Sequence, residues 1–392
     1  MRKILVINAG SSSIKAVLFS EDLAALLSAA VLEIGGEARL HIGATEQPLV
    51  APDHLAALAA LLDAFAAHGH PIDSLHAAAH RIVHGGRRLL SPCRITPKVV
   101  AEIEACIPLA PLHNPHNLSA IRAIAELAPK LPQFASFDTA FHATNPEEAL
   151  RYALPAAEDA KGIRRYGFHG ISYAGLTARL PSLSAAPLPS RLLALHLGNG
   201  ASLCAIRDGR SVATTMGYSP LDGLTMGTRA GEIDGMAVLR LAEEYGIAGA
   251  ADLLNRQSGL KALGGASNMH VLAEMDDPAA RFAIRHFCYW AVRHSGAMIA
   301  AMGGLDAIAF TGGIGENDAH VRAEIVSGLN WLGAEIDPAA NAAGETRLGT
   351  RKSLVAIWKV LAYEEQTIAR DALAQYDVLP VAANSDQSTR LR

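Results

Sequence analysis

The chain has 392 residues, half of them hydrophobic and 18% charged, which indicates a globular protein with room for two domains. Its net charge of −4 and its lack of a basic run argue against nucleic acid as a main partner, because the phosphate backbone is bound through clustered Lys and Arg. No segment predicts a membrane span or a signal peptide, and the four cysteines form no CxxC pair, so we expect a cytoplasmic protein with reduced thiols and no membrane partner.

The N-terminal segment predicts a hairpin whose turn suits phosphate. Ile4–Ile7 and Ile14–Phe19 are apolar and rich in β-branched residues, as buried strands are. The small residues of the turn let backbone N–H groups approach an anion, its hydroxyls donate hydrogen bonds, and its lysine carries positive charge. These residues are Asn8, Gly10, Ser11, Ser12, Ser13 and Lys15. An ordinary Gly/Ser hairpin explains this segment alone equally well, because turn composition is a weak signal.

A second hairpin of the same kind is predicted halfway along the chain. Leu192–Leu197 and Leu203–Ile206 flank a Gly/Asn/Ser turn, and Asp208-Gly209 marks the next hairpin turn. Two related strand–turn–strand units half a chain apart predict an internally duplicated, two-lobed protein.

A third glycine-rich turn, Thr311–Asn317, follows the apolar run Ala307–Phe310 and precedes a helix predicted over Asp318–Leu329. A strand, a glycine turn and a helix in this order direct helical N–H groups at a phosphate.

Helical patterns alternate with these strands, which predicts an α/β protein with mixed sheets. The predicted helices are Leu55–Ala67, Leu118–Leu127, Met236–Tyr245, Ala279–Ala301 and Thr367–Tyr376. Pro155 and the stretch Ala156–Gly162 form a candidate domain boundary, and the tail Asn384–Arg392 is expected to be frayed.

Charged side chains beside glycine, proline or apolar residues are the candidates for chemistry. An arginine such as Arg81 can grip a carboxylate or phosphate with two parallel bonds, although a surface arginine is the simpler interpretation of it alone. His113 lies in a proline-fixed loop, where most lone histidines are incidental, and His169 and Arg229 place cations close to glycines. Asp138 lies among apolar residues, so it predicts an arginine partner, a metal or a catalytic task, with helix N-capping as the alternative.

Eight motifs, in this order and spacing, resemble those of acetate kinases, the acetokinase family. They are NAGSSSIK, HRIVHGG, LAPLHNPHN, FDTAFH, YGFHGIS, HLGNGAS, MGYSPLDGLTMGTRAG and FTGGIGEN. The resemblance extends from Ile4 to about Arg370. It implies the two-lobed, duplicated ribonuclease H-like fold of the sugar kinase/Hsp70/actin superfold, with mixed sheets flanked by helices. It also implies an N-terminal lobe of residues 1–150 plus about 366–392, a C-terminal lobe of residues 151–365, and a homodimer formed through the C-terminal lobe.

The activity that the resemblance implies is reversible transfer of the γ-phosphoryl group of ATP to acetate, giving acetyl phosphate and ADP. The carboxylate attacks in line, and the implied metal is Mg²⁺, with Mn²⁺ as an alternative. A propionate or butyrate kinase and a pyrophosphate-dependent acetate kinase are rival activities of the same site. A nucleotide-switch chaperone or filament protein of the same superfold is a rival of another class.

The resemblance also implies a role for each matching residue. Arg81 holds the acetate carboxylate, and Asn8 and Glu364 lie near the metal. The catalytic set is Asp138, His169, Arg229 and His113. The pocket for the methyl group is Val83, Leu112, Phe168 and Pro220. The nucleotide contacts are Ser11, Ser13, Lys15, His196, Leu197, Gly198, Asn199, Gly200, Asn268, Met269, His270, Gly313, Ile314, Gly315, Glu316 and Asn317.

The chain departs from the family pattern at several positions. Asn268 and His270 stand where the family has Asp and Arg, which is explained either by drift or by use of another phosphoryl donor. Leu361-Ala362-Tyr363 replaces Pro-Thr-Asn, Tyr173 replaces a histidine, and Gly235 replaces a proline.

Overall fold

The structure is a computed structural model, and it describes residues 2–377. The predicted frayed tail and the end of the predicted N-terminal lobe lie outside these residues. Helices and strands alternate along the chain, as the hydrophobic patterns predict.

An eight-stranded mixed sheet contains the N-terminal hairpin. Its strands are β1 (Lys3–Ala9), β2 (Ser13–Ser20), β3 (Ala25–Leu32), β4 (Arg39–Ile42), β5 (Thr45–Pro48), β6 (Ala77–Ile82), β7 (Cys93–Arg94) and β8 (Gln133–Phe137). The order is β5-β4-β3-β2-β1-β6-β8-β7, in which β6 is parallel to both β1 and β8 and the other pairs are antiparallel.

A five-stranded mixed sheet contains the second hairpin. Its strands are β9 (Arg191–Leu197), β10 (Ala201–Arg207), β11 (Arg210–Thr214), β12 (Ala307–Thr311) and β13 (Ala356–Lys359), in the order β11-β10-β9-β12-β13. The strand directions repeat those of β3-β2-β1-β6-β8: two antiparallel pairs are followed by two parallel pairs. This repeat confirms the internal duplication.

Fourteen α-helices occur in the described residues. They are α1 (His54–Ala67), α2 (Pro97–Ala105), α3 (Asn114–Leu127), α4 (Glu147–Leu150), α5 (Ala156–Ala160), α6 (Gly170–Ser184), α7 (Gly235–Arg256), α8 (Gly259–Gly264), α9 (Met269–Glu274), α10 (Pro278–Met302), α11 (Gly312–Asn317), α12 (Ala319–Ser327), α13 (Pro338–Ala343) and α14 (Glu364–Asp377). Short 3₁₀ helices lie at Ile72–Ser74, Ile107–Leu109, Ala140–Thr144 and Asn330–Leu332.

Helices cover both faces of each sheet and bury its apolar side chains. In the first sheet, α1 and α3 cover one face, while α14 packs on the other, where Ile368 and Ala369 meet Ile4 and Val6. In the second sheet, the long helix α10 packs on the face opposite to α6. The last helix thus returns to the first sheet, which supports the predicted division into lobes; the boundaries of that division stay a prediction.

Four predicted elements differ from the structure in type or in extent. The turn predicted over Thr311–Asn317 is wrong beyond Thr311, because the segment forms helix α11 from Gly312 onward. Glycines disfavour a helix, but Glu316 within this helix accepts the free N–H of Gly312 at 3.0 Å. The same carboxylate accepts the N–H of Ala362 at 2.9 Å, which connects the short helix to a distant segment. The following helix is Ala319–Ser327, shorter than predicted.

The other two differences concern one long helix and the predicted domain boundary. The helix predicted over Met236–Tyr245 continues to Arg256 beyond a break at Gly246, where φ is 70°. The predicted boundary stretch after Pro155 contains helix α5. Within residues 2–377, none of the helices combines the length and apolar character needed to cross a bilayer.

Candidate active site

Two cavities contain most of the predicted site residues. Cavity A, of about 670 Å³, is lined by three chain segments: Gly198–Asn199, Ser267–His270 with Ala273, and Gly313–Ala319 without Gly315 and Glu316. Cavity B, of about 700 Å³, joins the N-terminal hairpin turn to loops around the second sheet, and its lining includes Ser11, Ser13, Leu112, His113, Pro220 and Arg229. The structure therefore brings together distant predicted residues such as Ser11 and Arg229, which are about 220 positions apart in the chain.

Cavity A gathers half of the predicted nucleotide contacts. They are Gly198, Asn199, Asn268, Met269, His270, Gly313, Ile314 and Asn317. Asn268 is the N-cap of α9 and accepts the His270 N–H at 2.9 Å, while the exposed His270 ring lies 3.3 Å from Glu274. Asn268 therefore serves as a helix N-cap, a role that the aspartate of the family pattern would fill equally well.

Five predicted nucleotide residues lie beside cavity A without lining it. Leu197 and Gly315 are buried and do not reach the cavity surface. The Glu316 carboxylate already accepts two backbone N–H groups. His196 bonds to Ser172 Oγ at 2.8 Å, and Gly200 lies next to the cluster described below.

An ion-pair cluster connects the ends of β6, β8 and α14. Arg81 Nη2 lies 2.8 Å from Asp138 Oδ2, and Arg81 Nη1 lies 3.3 Å from Glu364 Oε2. Burial lowers the pKa of Arg81, but the two carboxylates outweigh that effect and raise it overall. For Asp138, burial has the larger effect and raises the pKa to about 6, although the positive charge of Arg81 opposes this shift. The arginine partner predicted for Asp138 is confirmed, and the surface interpretation of Arg81 is wrong.

His169 is held in an unusual backbone conformation at the start of α6. Its φ is 58°, a left-handed value that is rare outside glycine and marks a constrained position. The next residue, Gly170, donates its N–H to the Asp138 carbonyl at 2.7 Å, and a Cβ built there would lie 2.3 Å from that oxygen. The ring of His169 stacks on that of His196, with centroids 4.0 Å apart. Burial, followed by His196, Arg81 and Arg229, lowers the pKa of His169 well below 6.5, so the ring is neutral.

Arg229 presents a cation without an anionic partner to cavity B. In the described part of the chain, no carboxylate forms an ion pair with it, and burial lowers its pKa. A methyl group built on Gly200 would lie 3.5 Å from Arg229 Nη1 and 3.4 Å from His169 Nε2. The two candidate transition-state residues therefore converge on Gly200, in the turn that also contributes to cavity A.

His113 lies at the N-cap position of α3, so the predicted loop ends there and the helix begins at Asn114. Burial, with Arg229 and Arg81 adding to it, lowers the pKa of His113 to about 4. The ring is therefore a neutral lining group of cavity B.

The residues of the predicted methyl pocket are divided between the cavity and the core. Leu112 and Pro220 line cavity B, and Leu112 is half-exposed. Phe168 is buried in the core of the second sheet, and Val83 packs against that core. The structure does not place all four side chains around one enclosed space.

Among the hairpin residues, Ser11 and Ser13 line cavity B. Asn8 and Lys15 stand opposite each other on β1 and β2, and Lys15 is exposed. The hairpin turn is thus part of a cavity wall, as the phosphate interpretation requires.

Carboxylate and amide oxygens of the kind that Mg²⁺ prefers occur at Asp138, Glu364 and Asn8. No group of three or more His, Cys, Asp or Glu with metal-binding geometry occurs within residues 2–377. Mg²⁺ keeps several waters and is typically held by one or two carboxylates together with substrate phosphates, so this donor set fits the ion.

Sequence reasoning missed several residues that support the site. Asn117 accepts the Val83 N–H at 3.1 Å and donates to the Ala9 carbonyl at 2.9 Å, which fixes the ends of β1 and β6. Ser202 Oγ lies 2.9 Å from His169 Nδ1. Asn117 could have been suspected from its place one turn after His113, whereas nothing in the sequence indicates the partner of Ser202.

Comparisons with known proteins show what the chain is related to. The model of the acetokinase family matches residues 3–370. The chain belongs to the acetokinase family. An acetate kinase of Rhodopseudomonas palustris is 43% identical over 385 residues, covering 94% of this chain and 96% of that protein.

Solved structures of this family share the fold. The acetate kinase of Porphyromonas gingivalis is 34% identical with a TM-score of 0.90, covering 96% of this chain and 100% of that one. A propionate kinase of Francisella tularensis is also 34% identical with a TM-score of 0.90, covering 95% and 99%. The family, the kinase class and the α/β fold predicted from the motifs are confirmed.

Proposed function

We propose that this member of the acetokinase family transfers the γ-phosphoryl group of ATP reversibly to acetate, giving acetyl phosphate and ADP. The observation that carries the proposal is the convergence of His169 and the unpaired Arg229 on Gly200. This point lies between cavity A, which is large and polar enough for a nucleotide, and cavity B, which offers serine, histidine and arginine.

The chemistry needs positioning more than proton transfer. A carboxylate is already a nucleophile, so no general base is required. The demand is to bring two anions together and to stabilise charge on the equatorial oxygens of the phosphoryl group. Arg229 supplies a cation for that charge, His169 supplies a neutral donor, and Ser11 and Ser13 supply hydroxyls at the phosphate side.

Arg81 binds the acetate carboxylate in this proposal. Its guanidinium is shared by Asp138 and Glu364, so acetate enters by exchanging with one of them. Glu364 is the more exposed partner and pairs at the longer distance, which makes its contact the one that opens. Asp138 then keeps the guanidinium in place through two bonds to one buried carboxylate.

Glu364 and Asn8 would hold Mg²⁺, or Mn²⁺ in its place, together with the phosphates of the substrate. The ion, when bound, would neutralise charge on the phosphate oxygens. A Glu364 released from Arg81 has a carboxylate available for that task.

We further propose that the protein is a homodimer formed through α7 and its surroundings. No residue of the first part of α7, residues 235–249, is buried, although the segment carries Met236, Leu239, Tyr245 and Ile247. Phe282 and Tyr289 of α10 are exposed as well. A helix with apolar residues and no buried position normally packs against another molecule, and a second copy of the chain is the occupant proposed here.

A donor and acceptor matrix tests the proposed reaction. The purified protein is assayed with ATP, GTP or pyrophosphate as donor and with acetate, propionate or butyrate as acceptor. We expect the highest kcat/KM with ATP and acetate and weaker turnover of propionate, since one methylene changes selectivity about 10–200-fold. Turnover with none of these pairs, or with pyrophosphate alone, would contradict the proposal.

A further inference from the structure

A buried hydrogen-bonded chain connects α6 to the ring of His169. The Tyr173 hydroxyl oxygen lies 2.8 Å from the Ser202 carbonyl oxygen and 2.6 Å from Ser202 Oγ. Ser202 Oγ in turn lies 2.9 Å from His169 Nδ1. Both Tyr173 and Ser202 are fully buried, so water does not compete for these bonds.

One assignment of the donors satisfies every contact in this chain and leaves the serine proton for His169. A carbonyl oxygen only accepts, so the Tyr173 hydroxyl donates to the Ser202 carbonyl oxygen. Either hydroxyl can donate in the contact between Tyr173 and Ser202 Oγ, and in this assignment the Tyr173 proton is shared between the two oxygens of Ser202. The hydroxyl proton of Ser202 is then free to point at His169 Nδ1. A ring nitrogen that accepts carries no proton, and the neutral ring therefore has its proton on Nε2.

A second serine–histidine pair in the same molecule shows this arrangement without ambiguity. His142 Nε2 lies 2.9 Å from the Phe168 carbonyl oxygen, which forces Nε2 to be the donor. Its Nδ1 lies 2.9 Å from Ser211 Oγ, so Ser211 donates to Nδ1. The pair formed by Ser202 and His169 has the same atoms at the same distance.

The position of Nε2 allows its proton to bind an anionic group. It faces Gly200 and Arg229 Nη1, the point at which a charged group would meet both residues. An N–H directed there donates to an anionic oxygen, whereas a lone pair would repel it. The groups that act on the ring are His196, Arg81, Arg229 and His142, all of which disfavour a second proton on it.

We propose that Tyr173 and Ser202 are positioning residues, which fix His169 as a neutral imidazole with its proton on Nε2 so that it donates to the transferring phosphoryl group. The inference rests on the proposed function for the identity of the acceptor. The tautomer itself is independent of any turnover.

The tautomer is measured by long-range ¹H–¹⁵N NMR of the full-length protein labelled at histidine, with His169 assigned from the signal lost in His169→Asn. We expect the Nε2–H pattern in the wild type. Ser202→Ala should introduce the Nδ1–H form and lower kcat about 10–100-fold with a much smaller change in KM, because residues that orient a site group typically have effects of that size. Tyr173→Phe, which removes only the hydroxyl, should change both readouts in the same direction to a smaller extent.

Ser211→Ala is the matched control, since it removes the serine partner of His142. It should alter the His142 signal and leave the His169 signal unchanged. The inference would be overturned by an Nδ1–H pattern at His169 in the wild type. It would also be overturned if Ser202→Ala and Tyr173→Phe lowered kcat without changing the tautomer of His169. If Ser202→Ala does not fold, the spectra of the wild type and of Tyr173→Phe still test the tautomer of His169. Lack of acetate phosphorylation by the wild type would instead refute the proposed function and leave the tautomer measurement valid.

Discussion

At the scale of single residues, the site is defined by how each cation is paired. Arg81 is shared by two carboxylates, which compensate its charge in a buried place. Arg229 is partly buried at the wall of cavity B and has no carboxylate partner among the described residues. A partly buried cation without a protein anion is stabilised when a ligand anion binds, so we expect the proposed chemistry to depend most on Arg229.

Arg229→Ala should lower kcat about 10²–10³-fold, equivalent to about 2.7–4 kcal/mol of transition-state stabilisation, because it removes one preorganised electrostatic donor. Steady-state kinetics with ATP and acetate measure the loss, and circular dichroism checks the fold. Arg39→Ala is the control, since Arg39 is exposed, is already paired with Glu46 at 2.9 Å and lines neither cavity A nor cavity B. Turnover of Arg229→Ala close to that of the control would refute the role of Arg229.

At the scale of elements, the start of α6 sets the position of His169. Gly170 approaches the backbone at Asp138 so closely that a side chain would collide with it, at 2.3 Å from the carbonyl oxygen. The same contact connects the end of β8, where the Arg81 partner Asp138 lies, to the helix that begins next to the candidate catalytic residue His169. Displacement of α6 therefore affects both halves of the site.

Gly170→Ala should destabilise the protein by about 1–3 kcal/mol and reduce activity further than the loss of folded protein explains, because the helix must move away from Asp138. Urea denaturation followed by tryptophan fluorescence gives the free energy of unfolding. Gly296→Ala in α10 is the matched control: a Cβ there meets nothing within 4 Å, so a gain of about 0.4–1 kcal/mol is expected. Equal effects of the two substitutions would show that the contact of Gly170 is unimportant.

The exposed first part of α7 gives a prediction about assembly. Ile247 is 84% exposed in the single chain. Ile247→Asp should convert the proposed homodimer to a monomer in sedimentation velocity experiments, because it introduces a charge into the proposed apolar contact. Val50→Asp is the control, since Val50 is 90% exposed but lies beside the first sheet. A wild-type monomer, or a dimer that tolerates Ile247→Asp, would contradict this interface.

At the scale of the whole molecule, buried neutral histidines couple folding to pH. Burial lowers the pKa of His80, His84 and His142 to about 4 each. The unfolded imidazole, with a pKa near 6.5, binds a proton as the pH falls, whereas the folded one stays neutral until about pH 4. The unfolded state binds more protons in this window, so the contribution to stability is fully present above about pH 6.5 and is lost as the pH falls towards 4.

For each of these histidines, the free energy of unfolding should decrease by about 1.4 kcal/mol for every unit by which the pH falls within that window. Urea denaturation at pH 7.5, 6.0 and 5.0 measures the slope. His80→Gln should remove the share of one histidine while keeping a partner for Gln133, which lies 2.8 Å from the His80 ring. A free energy of unfolding that does not change between pH 7.5 and 5.0 would contradict this.

The sequence indicated most elements because their signals are local. Runs of apolar residues predict the strands β1, β2, β9 and β10, and the ordered motifs predict which turns contribute to the site. The helix at Gly312–Asn317 was not predictable, since it depends on a carboxylate that also bonds Ala362, about 45 residues further on. The contact of Ser202 with His169 and the exchange expected at Arg81 could not be predicted for the same reason, because both depend on contacts between distant segments. Residue types could be predicted from the sequence, whereas their pairing required the fold.

The most direct test of the central claim follows the reaction by ³¹P NMR, with the protein, ATP, Mg²⁺ and acetate together. The predicted result is acetyl phosphate and ADP appearing in equal amounts, with no acetyl phosphate when acetate is omitted and greatly slowed formation in Arg229→Ala. Release of inorganic phosphate alone, or no change in the ATP signals, would contradict a carboxylate kinase.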